Sequence, residues 1–259
     1  MTNRSRASNR PNPLIAGSEQ SRPGAPVEAS SIGTSSLPAI SPGLVAEIDS
    51  QIALRAAQSN CTILITGETG VGKGHLARWL HEHSPRRNGP FIPVNCGAIP
   101  DLLVDSQLFG HVRGSFSGAV SDHPGLVRSA EYGTLLLDEV SELPLTAQNR
   151  LMRLLQEREV QPVGAPRPII VDVRVYAATN IDSAIAVLDR RFREDLLFRL
   201  DVIRLHVKSL RERLHELPIL LHAFNIEFAN LYQQEPLEFE PAAIEAMRRY
   251  PWPGNVRQL

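Results

Sequence analysis

Hydrophobic positions follow two different periods along this chain, and these periods predict its elements. Five short runs are almost continuous in apolar and β-branched residues: 62–66, 91–95, 134–138, 173–180 and 202–207. Runs of this kind indicate strands that are covered on both faces. Between them the apolar spacing changes to three and four, as after Val71 and over 146–157, which predicts helices. Strands that alternate with helices predict an α/β fold with a parallel sheet.

The beginning of the chain differs from this alternating centre. Residues 1–38 are rich in Ser, Pro, Ala, Gly and Asn, with scattered arginines. Such a composition buries too little apolar surface to offset the entropy of ordering, so we predict a disordered tail. A short regulatory or DNA-touching arm is the alternative. From residue 41 onward, apolar positions at 44, 48, 52 and 54 predict an amphipathic helix before the first strand.

Composition narrows the class of protein. The formal net charge of the 259 residues is -1, which argues against a protein that coats nucleic acid through general basicity. The two cysteines, Cys61 and Cys96, suggest small core residues rather than a disulfide framework. No stretch resembles a signal peptide or a membrane span. We therefore expect a soluble cytoplasmic protein that makes no membrane contact.

A glycine-rich loop separates the first strand from the helix that follows it. Residues 67–73 read GETGVGK, and we call them the phosphate loop. Glycines let the backbone turn its amides toward an anion at a helix N-terminus, and a lysine ammonium can reach the terminal phosphates. The residue after the lysine departs from the usual pattern, because a glycine replaces the Ser or Thr that would offer magnesium a hydroxyl. The predicted nucleotide-binding residues here are Gly67, Glu68, Thr69, Gly70, Val71, Gly72, Lys73 and Gly74.

Polar residues follow the other strands where those strands end. Asp138 and Glu139 close the third run, Asn95 closes the second, and Thr179 and Asn180 close the fourth. The carboxyl ends of parallel strands meet at one edge of a sheet, where ligands bind. We expect Asp138 to hold Mg²⁺, directly or through water, and Glu139 to polarise an attacking water. The three other residues could sense the γ-phosphate, and turn capping is the alternative for each asparagine.

Residues 108–119, LFGHVRGSFSGA, are similar to the LFGHxxGAFTGA motif of one family. This is the AAA+ ATPase domain of bacterial enhancer-binding proteins, which activate transcription by sigma-54 RNA polymerase. The resemblance covers roughly 41–259, and it implies ATP and Mg²⁺ as cofactors and a hexameric ring. It also implies that the GSFSGA segment contacts the sigma factor through Gly114, Ser115, Phe116, Ser117, Gly118 and Ala119. Ser115 and Ser117 replace the family's Ala and Thr.

Further motifs assign roles through the same resemblance. Residues 133–139, GTLLLDE, resemble the Walker B segment, and Asn95 resembles the switch residue that restrains Glu139. Residues 178–180, ATN, resemble sensor I. Residues 192–200, FREDLLFRL, resemble FREDLYYRL, which implies that Arg193 and Arg199 reach a neighbouring subunit's nucleotide. Residues 252–257, WPGNVR, resemble the segment whose arginine, here Arg257, is sensor II.

The resemblance completes the expected organisation: a disordered tail over 1–38, a P-loop AAA+ sheet domain over 39–210, and a mostly helical lid over 211–259. The expected function is ATP hydrolysis coupled to remodelling of the sigma-54 holoenzyme. A nucleotide-bound oligomerising regulator that does not hydrolyse, or another AAA+ motor, is the alternative. No helix-turn-helix pattern occurs in the sequence. Promoter or enhancer DNA would then be reached through a domain outside this sequence or through a partner.

Overall fold

The central element of the fold is a five-stranded parallel sheet. The computed structural model describes residues 48, 50–180 and 183–259, with the side chains of 183–185 excepted. The strands of this sheet are β1 Ile63–Thr66, β2 Phe91–Asn95, β3 Thr134–Asp138, β6 Arg174–Thr179 and β7 Ile203–His206. They lie in the order β2-β3-β6-β1-β7, and every neighbouring pair is parallel. These are the five predicted strands, each within two residues of the predicted ends.

Helices follow the strands along the chain. The sheet domain contains α1 Ser50–Gln58, α2 Lys73–Glu82, α3 Asp101–Phe109, α4 Leu126–Ser129, α5 Leu145–Glu157, α6 Ser183–Leu188 and α7 Glu194–Leu200. Short 3-10 turns cover Cys96–Ala98 and Val140–Glu142. Among the described residues, no helix combines the length and the apolar character that crossing a bilayer requires.

The strands bury both faces in two separate hydrophobic clusters. Leu135, Leu137, Val175 and Ala177 belong to one cluster, with residues from α3, α5 and α7. Leu136 and Tyr176, which alternate with them, belong to the other cluster with residues of α1 and α2. Successive side chains of a strand point to opposite faces, so a continuous apolar run fills both clusters. The parallel sheet covered on both faces, predicted from those runs, is confirmed.

The lid contains two further 3-10 turns and three helices among the described residues. The turns are Leu210–Glu212 and Leu214–Glu216, and the helices are α8 Leu217–Tyr232, α9 Pro241–Arg249 and α10 Asn255–Gln258. A third cluster joins Leu217, Leu220 and Leu221 to Trp252. Phe228 of α8 lies outside this cluster and is 49% exposed. The predicted helical segment at the C-terminal end is therefore present, with a small core of its own.

Some sequence expectations need correction or fall outside the structure. The expectation that both cysteines are core residues is wrong for Cys61, which is exposed, whereas Cys96 is buried. A short antiparallel hairpin, β4 Glu159–Val160 with β5 Ile169–Ile170, was not predicted because two-residue strands leave no periodic signal. The predicted tail over 1–38 and the start of the predicted helix at 41 lie outside the described residues.

Candidate functional site

The phosphate loop is shaped by three glycines with positive φ. These are Gly67 at 146°, Gly70 at 82° and Gly72 at 103°. A Cβ at Gly67 would lie 2.4 Å from the carbonyl oxygen of Val207, and one at Gly70 would lie 2.3 Å from that of Gly254. At both positions the positive φ disfavours a side chain, and a Cβ would also clash with the neighbouring carbonyl oxygen. A Cβ at Gly74 meets nothing within 4 Å, so space does not explain that glycine.

Lys73 begins α2 and is buried, with 7% of its surface exposed. Its Nζ donates to the carbonyl oxygens of Gly67 at 2.8 Å and of Glu68 at 3.0 Å. Burial lowers the pKa of the ammonium, while the nearby charges of Asp138 and Glu139 act to raise it. The structure thus holds the predicted lysine inside its own loop and close to the predicted carboxylates.

The ends of β2 and β3 bring Asn95 and Asp138 into register as neighbours. Asp138 Oδ1 accepts from the backbone N–H of Glu139 at 3.1 Å, and Glu139 has a left-handed backbone with φ 54°. That turn directs the Glu139 carboxylate toward Gly97, since a Cβ at Gly97 would lie 2.8 Å from Glu139 Oε2. Asn95 Oδ1 accepts from the Gly97 N–H at 3.0 Å and so caps the following turn. Asn95 and Glu139 therefore both lie beside Gly97.

A cleft of about 630 Å³ lies between the phosphate loop and the residues that follow the strands. Asn180 lines it and donates from Nδ2 to Thr69 Oγ1 at 2.8 Å, which links the end of β6 to the phosphate loop. Thr179 is buried behind it, with its hydroxyl 3.3 Å from that of Ser141. The cleft is lined by Glu68, Thr69, Gly97, Glu139, Glu142, Asn180 and Pro253. The phosphate loop, the β3 carboxylate edge, the β6 end and the lid thus meet at one cavity.

Arg211 and Asn255 are two lid residues that contact the phosphate loop and that the sequence did not predict. Arg211 forms a two-pronged ion pair with the Glu68 carboxylate. Asn255 Nδ2 donates to Glu68 Oε2 at 3.1 Å. These two contacts, that of Arg211 first, hold the pKa of Glu68 at about 2. Asn255 lies in the WPGNVR segment, which the sequence analysis used only for Arg257, so the sequence did point to this region. No feature of the sequence pointed to the Arg211 contact.

The predicted sensor II residue, Arg257, also lies beside the phosphate loop. Its backbone N–H donates to the Gly70 carbonyl oxygen at 3.2 Å. Its side chain is exposed, and its charge acts to lower the pKa of Lys73. The structure therefore places this arginine next to the predicted phosphate-binding lysine.

The other predicted arginines are not part of this cleft. Arg193 precedes α7, is exposed, and pairs with Asp195 at 2.7 Å. Arg199 lies in the last turn of α7 with its side chain exposed. Neither residue is among those that line the cavity. Within a single chain, neither arginine therefore contributes to the lining of this cleft.

The GSFSGA segment forms a compact hairpin. Its base is closed by reciprocal backbone hydrogen bonds of 2.9 Å between His111 and His123, and Gly114 N–H donates to the Ala119 carbonyl oxygen at 2.8 Å. Phe116 is 38% exposed, and its ring meets the His111 ring edge-on with centroids 5.0 Å apart. Ser115 Oγ is buried and has no hydrogen-bond partner among the described residues. Phe116 is thus available at the surface of an ordered segment.

The chain matches two protein families and several relatives. The family described as the sigma-54 interaction domain matches residues 44–206, and the AAA+ ATPase lid domain matches 211–259. Response regulator protein FleR of Pseudomonas aeruginosa is 46% identical over 209 residues, which are 81% of this chain and 44% of that protein. Regulatory protein AtoC of Escherichia coli is 44% identical over 205 residues, which are 79% of this chain and 44% of that protein. The chain spans less than half the length of these curated relatives.

Solved structures show the same fold. The crystal structure of NtrX from Brucella abortus in complex with ATP superposes with a TM-score of 0.75 and 32% identity. The match covers 85% of this chain and 50% of that one. The Hsp104-ADP complex of Saccharomyces cerevisiae, at 17% identity and a TM-score of 0.57 over 83% of this chain and 43% of that one, agrees in fold alone.

Proposed function

Since the chain belongs to the sigma-54 interaction domain family, we propose that it hydrolyses ATP and uses that reaction to remodel the sigma-54 RNA polymerase holoenzyme. One observation supports this more than any other. The phosphate loop, with its buried Lys73, is close to Asp138 and Glu139 at the carboxyl edge of a parallel sheet. A phosphate-binding loop and a candidate base that line the same cleft are the parts that phosphoryl transfer to water requires.

In this proposal each residue has a defined task. The phosphate loop amides and the Lys73 ammonium bind the phosphates and offset their charge. Glu139, directed toward the cleft by its left-handed turn, accepts a proton from the attacking water. Asn180, tied to Thr69 at 2.8 Å, orients the γ-phosphate with Thr179 behind it. Asn95 would restrain Glu139 through their shared neighbour Gly97, since it donates no hydrogen bond to Glu139 itself within the described chain.

Mg²⁺ fits this site, where the Asp138 carboxylate would be its protein ligand. Mg²⁺ keeps several waters and takes one or two carboxylates together with substrate phosphates, so a missing hydroxyl at Gly74 is tolerable. Asp138 is half-buried, and one of its oxygens accepts only a backbone N–H. When bound, the ion would neutralise charge on the β- and γ-phosphates.

The working form in this proposal is a hexameric ring. Arg193 and Arg199 are exposed and lie outside the cleft of their own chain. An arginine supplied from a neighbour can stabilise the transition state across a subunit boundary. Both residues are proposed to act on the neighbouring subunit's nucleotide, while promoter or enhancer DNA is reached outside this chain or through a partner.

The GSFSGA segment is the proposed contact with the sigma factor, and substitution of Phe116 tests this proposal. The ring is 38% exposed, and truncating an aromatic anchor at the centre of an interface costs about 2 kcal/mol or more. We expect Phe116→Ala to weaken ATP-dependent capture of sigma-54 by roughly 10- to 100-fold and to abolish open-promoter formation. The measurement is sigma-54 capture with a transition-state phosphate mimic, together with ATP hydrolysis and melting temperature on the same preparation.

The matched control is Phe228→Ala, because that phenylalanine is 49% exposed on α8 and lies outside the segment. This control should capture sigma-54 as well as the unchanged chain does. A Phe116→Ala variant that still captures sigma-54 would sink the assignment. Loss of hydrolysis with a lower melting temperature would instead identify Phe116 as a packing residue.

A further inference from the structure

Residues of the lid donate hydrogen bonds to backbone carbonyl groups of the phosphate loop. Lys73 already satisfies the first two carbonyls, those of Gly67 and Glu68. The next three accept hydrogen bonds from the C-terminal part of the chain. Thr69 accepts from Asn255 Nδ2 at 3.0 Å, Gly70 from the Arg257 N–H at 3.2 Å, and Val71 from Arg213 Nη2 at 2.8 Å. Five successive carbonyls are thus satisfied, and three of them depend on where the lid lies.

Asn255 is the centre of these contacts. It is fully buried at 0% exposure and has φ 52°, a left-handed backbone that asparagine tolerates better than most residues. Its Oδ1 accepts from the Leu210 N–H at 2.8 Å, at the start of the lid. Its Nδ2 donates both to the Glu68 carboxylate at 3.1 Å and to the Thr69 carbonyl at 3.0 Å. One primary amide therefore bridges the start of the lid, its last helix and the phosphate loop.

Two independent features press the lid against the loop at the same place. A Cβ at Gly70 would lie 2.3 Å from the Gly254 carbonyl oxygen, so the backbones are in direct contact. Arg213 is buried, forms an ion pair with Glu216 at 3.0 Å within the lid, and also donates to the Val71 carbonyl oxygen. If the lid moved away, Arg213 would keep Glu216, but the Val71 carbonyl would lose its donor. The loop and the lid cannot move apart without losing several bonds together.

We propose that Asn255 is a positioning residue for the nucleotide: it joins the lid to the phosphate loop, so that the loop's anion-binding shape and the lid's position are set together. This inference rests on the proposed function. Coupling of this kind is reciprocal, so a nucleotide that favours one shape of the loop favours one position of the lid to the same extent. Asn255 touches the loop and not the substrate, so its effect reaches the nucleotide through Glu68 and Thr69.

The test is Asn255→Asp in the full chain. Asp has nearly the same size, tolerates the left-handed backbone and keeps the acceptor for Leu210, but it lacks both donors and adds a negative charge beside Glu68. We expect a fluorescent ATP analogue to bind roughly 10- to 100-fold more weakly, since the hydrogen bonds to the Glu68 carboxylate and to the Thr69 carbonyl are lost. KM should rise more than kcat falls. Amide hydrogen exchange of residues 67–72 should become faster without nucleotide.

Two further variants separate positioning from general damage. Adding Glu68→Gln to Asn255→Asp offers an amide that can donate to the new carboxylate, so binding should recover at least about threefold over the single variant. Asn225→Ala is the matched control. Asn225 also bridges two backbone groups inside the lid, donating to the Leu237 carbonyl at 2.7 Å and accepting from the Leu237 N–H at 2.8 Å. This control should leave nucleotide affinity and exchange of the loop within twofold of the unchanged chain.

The outcomes are distinguishable. If the unchanged chain binds ATP and Asn255→Asp binds within twofold of it, this inference is overturned and the proposed function stands. The same holds if the double variant shows no recovery, or if Asn225→Ala weakens binding as much as Asn255→Asp does. If the unchanged chain binds no ATP, the proposed function fails and this inference fails with it.

Discussion

Lys73 and Glu139 illustrate how two residues of one cleft can have separable tasks. Lys73 is buried, and its ammonium already has two carbonyl partners, so its charge is held where phosphate would bind. Glu139 is half-buried on a tight left-handed turn that directs its carboxylate into the cleft. In the proposed function, Lys73 supplies charge for binding the phosphates, and Glu139 supplies the base for the reaction of water.

We therefore expect Lys73→Ala and Glu139→Gln to fail at different steps. A methyl group cannot offset phosphate charge, so Lys73→Ala should bind ATP at least about 100-fold more weakly. Glu139→Gln keeps the size of the side chain and loses only the base, so it should bind ATP within a few-fold and turn over roughly 10²–10⁴-fold more slowly. Equilibrium binding of a fluorescent nucleotide and phosphate release measure the two steps. Normal turnover by Glu139→Gln would remove that residue from its assigned role.

At the scale of elements, Arg174 of β6 joins the sheet to the end of α1. Its guanidinium is buried and donates to the carbonyl oxygens of Ala57 at 2.6 Å, Ala56 at 2.7 Å and Cys61 at 3.2 Å. The last carbonyls of a helix lack partners within the helix, and a cation there is favoured by the helix dipole. Burial lowers the pKa of Arg174. One side chain of β6 therefore supplies hydrogen-bond donors to carbonyl groups at and just after the end of α1.

Arg174→Met should destabilise the fold strongly while it leaves the phosphate loop sequence intact. Carbonyls left without partners cost about 1–3 kcal/mol each. Those of Ala57 and Cys61 would lose the Arg174 donor, whereas that of Ala56 keeps the Ser59 N–H at 3.2 Å. We therefore expect a loss of roughly 2–5 kcal/mol and a fall in melting temperature of about 4–20 °C.

The matched control is Arg153→Met on α5, whose side chain is 55% exposed and pairs with Glu157 at 3.3 Å. Exposed pairs contribute about 0–1 kcal/mol. Melting both variants decides the matter, and equal shifts would contradict the capping role of Arg174.

At the scale of the whole molecule, the proposed ring would place Arg193 and Arg199 at a site shared between subunits. Arg199 is exposed in the last turn of α7, and Phe198 beside it is 73% exposed. A head-to-tail interface that closes into a ring gives every subunit the same neighbour. In such a ring Arg199 is required by the adjacent nucleotide and not by its own.

Mixing two inactive variants tests that arrangement. Arg199→Ala subunits keep Lys73, and Lys73→Ala subunits keep Arg199, so some neighbours in a mixed ring form a complete site. With random one-to-one assembly about a quarter of the sites are complete, so hydrolysis should recover to roughly that fraction of the unchanged rate. Phosphate release is measured on mixed and separate preparations, with assembly checked by light scattering. No recovery in assembled mixtures would count against the shared site.

The sequence by itself determined the five strands of the parallel sheet and the polar residues that end them. β2 and β3 begin and end at the predicted residues, because a continuous apolar run with a polar residue at its end is a local signal. The phosphate loop, Asp138 with Glu139, and Asn180 were predicted for the same reason: each follows a strand, and parallel strands bring their carboxyl ends together. The GSFSGA segment was also recognisable, but its compact hairpin was not, because that depends on the His111–His123 bridge.

Only the tertiary structure decided which distant polar groups satisfy one another. Asn255 and Glu68 are 187 residues apart, and Arg174 and Ala57 are 117 apart, yet each pair shares a hydrogen bond. Asparagine and arginine occur at turns and surfaces throughout a chain, so neither periodicity nor composition distinguishes the buried ones. Their partners are backbone carbonyls and carboxylates that become neighbours only when the sheet, α1 and the lid have packed. A polar group whose partner is brought to it by packing has no local signature, and this is why the connection between the lid and the phosphate loop appears only in the folded chain.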